Sequence, residues 1–298
     1  MNSGSVFDEV SIDWSRLPEP QADGYDTDIV LLLASCAGYT CRDVGDNPTI
    51  LDGKVAVRQP EVNYCVPDGW KPAPSDDPNL AFATDFLECW PEVLQQFSKI
   101  IHSVYPYSEP NLGRGSCSGP AQDASAKSAK VPYTGKIFGA INVTVFDPIG
   151  TSEALVHELA HQKLWALGID FEYASRLVLN PQTECYPSPV RRNPRPMTAL
   201  IHAAYAWLYI VNLQLRMIPF EDEKGVEPEV IQVFVKGYFA RNLLNLTKAL
   251  KVVVENVKYD AAGEAFFGSL FEWGTRLITE GNQVLTEGNF ESDSCVKG

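Results

Sequence analysis

The chain has 298 residues, of which 45% are hydrophobic and 21% are charged; this balance is typical of a globular protein and excludes a disordered or fibrous chain. Its 24 Lys and Arg against 38 Asp and Glu give a formal net charge of −14, so it lacks the positive charge that nucleic-acid binding needs. No stretch has the roughly 18 uninterrupted apolar residues of a membrane span.

The cysteines and the first residues bear on location and domain organisation. Seven cysteines occur without CxxC spacing, and the acidic start has no apolar run, which predicts reduced thiols, no secretory signal and a cytoplasmic location. Prolines and acids over residues 1–24 predict a flexible arm. The remainder, 25–298, is predicted to form a single helix-rich domain, whose metal core lies at about 131–217.

Hydrophobic periodicity gives the elements in chain order. Short strands are predicted within 43–77, and a longer strand within 131–146. Pro91 is expected to kink or divide the second of the helices. The predicted helices are 25–36, 79–105, 151–167, 198–217, 228–257 and 263–285. This order predicts an α+β fold that is predominantly helical, with a small sheet packed near a central helix.

The central helix carries the motif His-Glu-x-x-His. His157 and His161 are four residues apart, so on an α-helix they lie on one face and can share one metal ion. Glu158 is rotated by about 100° from that face and can reach a metal-bound water from the side. With 4 His in the chain, chance is a poor explanation for this spacing. The alternative is a pair of ordinary histidines on an amphipathic helix.

A third ligand would decide the class of metal site. Leu164 and Leu167 stand where the long metzincin motif has Gly and His, which excludes that class. Glu172 and Glu184 are the nearest downstream acids for a thermolysin-like zinc site, but both fall in a stretch that is predicted to be a loop. His202 lies in the next apolar helix and is favoured, either as a ligand or as a hydrogen-bonded core histidine.

Two sequence runs together resemble a known family. LVHELAHQKLWAL, followed by NPRPMTALIHAAYAWLYI, is similar to the motif of HExxH-type, iron(II)- and 2-oxoglutarate-dependent peptide β-hydroxylases. The strand GAINVTVF before the helix is also similar, so the resemblance covers roughly residues 139–217. The second part of the motif is matched by Arg195, Pro196, His202, Tyr205 and Ala206.

The resemblance implies iron(II), with 2-oxoglutarate and O2 as co-substrates. It implies that His157, His161 and His202 hold the iron and leave positions open for both co-substrates. This set differs from the usual two histidines and one carboxylate. Whether Glu158 completes a carboxylate site or stays beside the metal is left open.

The resemblance also implies a place for 2-oxoglutarate, whose distal carboxylate needs a cation such as the planar guanidinium of arginine. Arg195 is the best candidate, with Arg192 and Arg191 as close alternatives, and Tyr205 is assigned to the same co-substrate. A solvated basic patch is the alternative interpretation of the arginines.

Three functions therefore compete. The leading hypothesis is an oxygenase that hydroxylates the β-carbon of a residue in a peptide, or of a related amino acid. The alternative is a zinc metallopeptidase that uses Glu158 as general base. The third is a binding module whose metal is only structural. The apolar helix 228–257 is expected to pack into the core, with a homodimer face as the alternative.

Overall fold

A computed structural model describes residues 11–39, 44–59, 70–108, 116–117, 138–171, 173–189, 191–223 and 233–287. Within these ranges the fold is α+β and predominantly helical, as the sequence predicts. The α-helices are α1 (Tyr25–Cys36), α2 (Pro78–Phe86), α3 (Pro91–Ile100), α4 (Pro148–Ala166), α5 (Met197–Glu223), α6 (Ala240–Asn256) and α7 (Ala261–Glu287). The strands are β1 (Thr49–Ile50), β2 (Val55–Val57), β3 (Lys71–Pro72), β4 (Ser103–Ser108), β5 (Ser116–Cys117), β6 (Ala140–Thr144), β7 (Cys185–Tyr186) and β8 (Arg195–Pro196).

The sheet is small and mixed, with the strand order β1-β2-β4-β6-β5, and β3 adds to the far end of β4. β2, β4 and β6 run parallel, while β1 and β5 pair antiparallel at the edges. Val104, Ile141 and Val143 join the main helical core. On β4, Tyr105 and Tyr107 alternate with Val104 and therefore face the other way, where they form a separate cluster with Trp70.

Pro91 divides the predicted helix 79–105. It begins α3, where its missing N–H leaves no hydrogen bond unmade, and α2 ends in the short 3-10 turn Leu87–Cys89. The prediction was wrong for 103–105, which belong to β4. Ser103, Val104 and Tyr105 pair with β6, and this pairing overrides the helical spacing of the upstream apolar residues.

Helix α4 lies at the centre of the domain. Asp147 caps it by accepting a hydrogen bond from the Gly150 N–H at 2.7 Å, and Pro148 takes the first helical position. The helix contacts β6 as well as α1, α2, α3 and α5. Because neighbours surround it, nearly all of its residues are buried, polar ones included.

Residues 11–24 differ from the flexible arm expected for them; residues 1–10 lie outside the described part. Leu17 is fully buried. The Pro18 carbonyl accepts a hydrogen bond of 2.6 Å from the Tyr205 hydroxyl, and Glu19 forms an ion pair of 2.6 Å with Arg276. The segment is thus fixed by α5 and α7, which are distant in sequence.

Helix α6 packs into the core, as expected for the described part of 228–257. Leu246, Ala249 and Val253 form its buried face. A π-helical turn, Val235–Phe239, leads directly into α6. Among the helices of the described ranges, none combines the length and the apolar character that crossing a membrane would need.

Candidate metal centre

The motif residues of α4 converge as their spacing predicts. The Nε2 atoms of His157 and His161 are 2.9 Å apart, and a carboxylate oxygen of Glu158 lies 3.7 Å from His157 Nε2. One ligand atom from each of these three residues lies within 4.8 Å of the others. The His157 side chain is 29% exposed, whereas that of Glu158 is 1% exposed. The group therefore reaches solvent on the His157 side.

The chemistry of this donor set fits a divalent transition metal. Bonds from a metal to imidazole nitrogen are about 2.0–2.1 Å long, so one ion can contact two Nε2 atoms that are 2.9 Å apart. Imidazole and carboxylate donors suit both iron and zinc. Burial lowers the pKa of His157 from 6.5 to about 4, so its imidazole is neutral at pH 7, which is the form that binds a metal.

The residues next to His161 hold the helix in place. The Gln162 side chain accepts a hydrogen bond of 2.9 Å from the Gly139 N–H and donates one of 3.3 Å to the Ala140 carbonyl, which joins α4 to the start of β6. On the other side, the Lys163 ammonium lies 2.6 Å from the Asp26 carboxylate of α1, and both side chains are buried. These two attachments limit the rotation of α4 about its axis.

His202 of α5, which the resemblance assigns to the metal, lies next to His161, and both of its ring nitrogens contact protein atoms. Its Nδ1 is 3.0 Å from Nδ1 of His161, and its Nε2 is 3.1 Å from the carbonyl oxygen of Ile169. His202 is fully buried, and it is not among the residues whose ligand atoms lie within 4.8 Å of one another. The structure thus brings the three histidines together in a row, with His161 in the middle.

The residues assigned to 2-oxoglutarate lie in two different environments. Arg192 and Arg195 are exposed, and Arg195 lies in β8 directly before α5. Tyr205 is fully buried, and its hydroxyl donates to the Pro18 carbonyl. That hydroxyl belongs to the contact between α5 and residues 11–24, and its pKa is raised well above 10 by burial.

Of the two acids considered for a zinc site, the structure describes Glu184. The Glu184 carboxylate is 3.2 Å from the ammonium of Lys258, and both side chains are largely exposed. Glu172 lies outside the described residues. In the part of the chain that the structure describes, Glu158 is therefore the only carboxylate grouped with His157 and His161.

Sequence reasoning missed two contributors to the site. Phe171 stacks on His202 with 4.1 Å between ring centroids, and its ring also meets the His161 ring at 5.0 Å. Asp26 neutralises Lys163 from a helix 137 residues away in sequence. One signal was available, because a lysine within an apolar helical stretch is almost never fully buried without a partner.

Comparison with known proteins adds no identity to these observations: no protein-family model matches the chain, and no curated protein matches its sequence.

Proposed function

We propose that the protein is an iron(II)- and 2-oxoglutarate-dependent oxygenase. Its reaction is hydroxylation of an unactivated C–H bond, at the β-carbon of an amino-acid residue in a peptide or of a related amino acid. The observation that supports this proposal is the donor set on α4, in which two imidazoles and one carboxylate group together within 4.8 Å. Two histidines and one carboxylate with open positions are typical of non-heme iron oxygenases.

In this proposal His157 and His161 hold the metal, and Glu158 is the carboxylate of the set. Glu158 follows His157 directly, so both come from the same turn of a helix that is fixed at Gln162 and Lys163. A fixed helix keeps the donors in place while the remaining metal positions stay open.

Iron(II) bound here would supply the oxidation, in which 2-oxoglutarate and O2 would become succinate and CO2 while the second oxygen atom of O2 would be inserted into the C–H bond of the substrate. The chain's own part is to bind, orient and exclude water. Leu155 and Leu159 are fully buried next to the ligands on α4, and Trp165 is 4% exposed one turn after His161. Of the three donor residues, His157 has the most exposed side chain, so we expect the substrate to approach from its side.

Arg195 is proposed to bind the distal carboxylate of 2-oxoglutarate. Its position directly before α5 and its exposed side chain leave its guanidinium available to a ligand. Charge-assisted hydrogen bonds of this kind contribute about 1.5–3 kcal/mol. Arg195→Gln is therefore expected to raise the KM for 2-oxoglutarate by roughly tenfold or more without changing the metal content, whereas Arg241→Gln on the exposed side of α6 serves as the matched control.

A zinc metallopeptidase remains the alternative. Glu158 lies beside His157 Nε2, where it could act as the base on a metal-bound water. A thermolysin-like zinc site also needs an acid from a downstream helix. Glu184 is paired with Lys258 at an exposed position, so it offers no such ligand. Of the two acids considered, Glu184 is the one that the structure describes, and the preference for the oxygenase rests on its placement together with the resemblance of the two sequence runs.

The deciding experiment compares metals and products. The protein is stripped of metal, loaded anaerobically with iron(II) or with zinc, and mixed with O2 and isotopically labelled 2-oxoglutarate. We expect labelled succinate from the iron form only, and its loss in His157→Ala and His161→Ala, but not in His102→Ala, whose histidine lies outside the donor group. Peptide cleavage by the zinc form together with an absence of succinate would establish the peptidase instead.

Cytoplasmic location is part of the proposal. Cys36 and Cys185 carry exposed free thiols, which suits a reducing compartment. A homodimer stays a prediction, and sedimentation of the purified protein tests it.

A further inference from the structure

We infer that His202 is a positioning residue, which fixes the tautomer and orientation of His161, and is not a third metal ligand. This inference rests on the proposed metal site at His157 and His161. It gives His202 a role that differs from the one its place in the sequence motif implies.

The carbonyl of Ile169 sets the direction of the hydrogen bonds. A carbonyl oxygen only accepts, so the contact of 3.1 Å requires His202 Nε2 to carry the proton and donate it. A neutral imidazole has one N–H, which leaves Nδ1 of His202 as an acceptor. The donor in the Nδ1–Nδ1 contact of 3.0 Å is therefore His161.

The consequence falls on the other nitrogen of His161. With its proton on Nδ1, the imidazole has its lone pair on Nε2, the atom that lies 2.9 Å from Nε2 of His157. The two hydrogen bonds thus run from the ligand ring to the backbone: His161 Nδ1–H to His202, and His202 Nε2–H to Ile169. Metal-binding histidines are usually oriented in this way, through the ring nitrogen that does not touch the metal.

The surroundings of His202 hold this arrangement in place. Its side chain is fully buried on α5, and the Phe171 ring covers one face of the imidazole at 4.1 Å with an angle of 22° between the planes. The Ile169 carbonyl is itself fixed, because the Ile169 N–H donates to Leu164 at 2.9 Å and Ile169 forms a β-bridge with Ala174. With Nε2–H on the carbonyl, the nitrogen that His202 could offer to a metal is Nδ1, and this atom lies against Nδ1 of His161, not against the Nε2 atom that faces His157. For His202 to become a ligand of the same ion, the hydrogen bond between the two rings would have to break and the His161 ring would have to turn.

The number of imidazoles on the metal distinguishes the two roles. The metal-free protein is loaded with cobalt(II), and X-ray absorption counts the imidazole ligands while proton NMR detects their shifted N–H signals. We expect two imidazoles in the natural protein and two in His202→Gln. Three imidazoles in the natural protein would overturn the inference while leaving the proposed metal site intact, and this measurement needs no variant to fold.

Metal affinity provides the second measurement. His202→Gln keeps an oxygen that can accept from His161 Nδ1–H, whereas His202→Leu has no acceptor. Loss of such a supporting contact weakens metal binding by roughly 10–100-fold, so we expect that loss in His202→Leu and a smaller one in His202→Gln. Equal losses in both variants would contradict the positioning role. If His157→Ala and His161→Ala left the cobalt ligands unchanged, the proposed function itself would fail.

Discussion

The buried ion pair between Lys163 and Asp26 allows a sharp test of what holds α4 in place. The two side chains are 0% and 1% exposed, and the ammonium and the carboxylate oxygen are 2.6 Å apart. The substitution Asp26→Asn keeps the shape and removes the charge. It leaves Lys163 with two neutral acceptors, the Tyr209 hydroxyl at 3.2 Å and the Pro18 carbonyl at 3.4 Å.

The expected loss is large because both oxygens of Asp26 are acceptors. One accepts from the Gln21 N–H at 2.9 Å, and the other accepts from Lys163 and from the Gln96 amide. An asparagine would therefore turn its own NH2 towards a donor in either orientation. Breaking a buried pair on one side costs about 3–5 kcal/mol, since the remaining charge has lost its partner.

Urea denaturation followed by tryptophan fluorescence measures this loss as a shift of the midpoint at constant slope. The matched control is Glu255→Gln, because Glu255 pairs with Lys251 at 3.8 Å while both are mostly exposed. Such an exposed pair contributes at most about 0.5 kcal/mol. A loss below about 1 kcal/mol for Asp26→Asn would refute the reasoning.

The pH dependence of Asp26→Asn gives an independent check. Burial lowers the pKa of Lys163 from 10.5, and the charge of Asp26 counteracts that shift. Without Asp26 the folded pKa falls further, so the unfolded chain binds more protons over the alkaline range. The stability of Asp26→Asn should therefore rise with pH relative to the natural protein, by up to about 1.4 kcal/mol per pH unit. A constant difference between the two proteins would contradict this account.

The other predictions concern single positions. Gly139→Ala is expected to cost at least about 2 kcal/mol in urea denaturation, because φ is +78° and a Cβ would lie 2.4 Å from the Ile100 carbonyl oxygen. Gly268→Ala, on α7 with open space around it, should instead stabilise by up to about 1 kcal/mol, and equal effects would be evidence against the steric argument. The metal-free protein should lose stability as pH falls from 6.5 towards 4, by up to about 1.4 kcal/mol per pH unit, because unfolded His157 binds a proton that the folded residue, with its pKa of about 4, does not. His157→Gln should lack this pH dependence. An unchanged dependence in the variant would mean that other titratable groups cause it. Asn242→Leu should raise the melting temperature, since this side chain is fully buried and neither of its polar atoms has a hydrogen-bond partner among the described residues. A lowered melting temperature would mean that the site cannot hold a leucine.

The pair of motif histidines was predictable because the helix alone brings them together. Residues four apart share a face of any α-helix, so His157 and His161 converge without knowledge of the rest of the fold. His202 was predictable to the same extent, as a lone histidine in an apolar helix that has to pack against α4. Which ring nitrogen of His202 faces His161 was not predictable, since that depends on the Ile169 carbonyl and on how α5 is rotated against α4.

Local patterns misled where distant residues decide the structure. Prolines and acids made the segment up to residue 24 look unattached, yet its partners Tyr205 and Arg276 lie in α5 and α7. The stretch 103–105 likewise becomes a strand only through pairing with β6. In both cases the stabilising contact joins residues that are far apart in the sequence, and hydrophobic periodicity reports only on neighbouring residues.

The hydrogen bonds of residues 11–26 also govern the order of assembly. Asp26 meets Lys163 across 137 residues, Pro18 meets Tyr205 across 187, and Glu19 meets Arg276 across 257. During synthesis, the contacts of residues 11–26 therefore cannot form until α4, α5 and finally α7 have been made. Closing such long loops costs conformational entropy before the contacts form, and this slows folding. Residues 11–26 are thus among the last of the described parts to reach their native place, although they are synthesised before α4, α5 and α7.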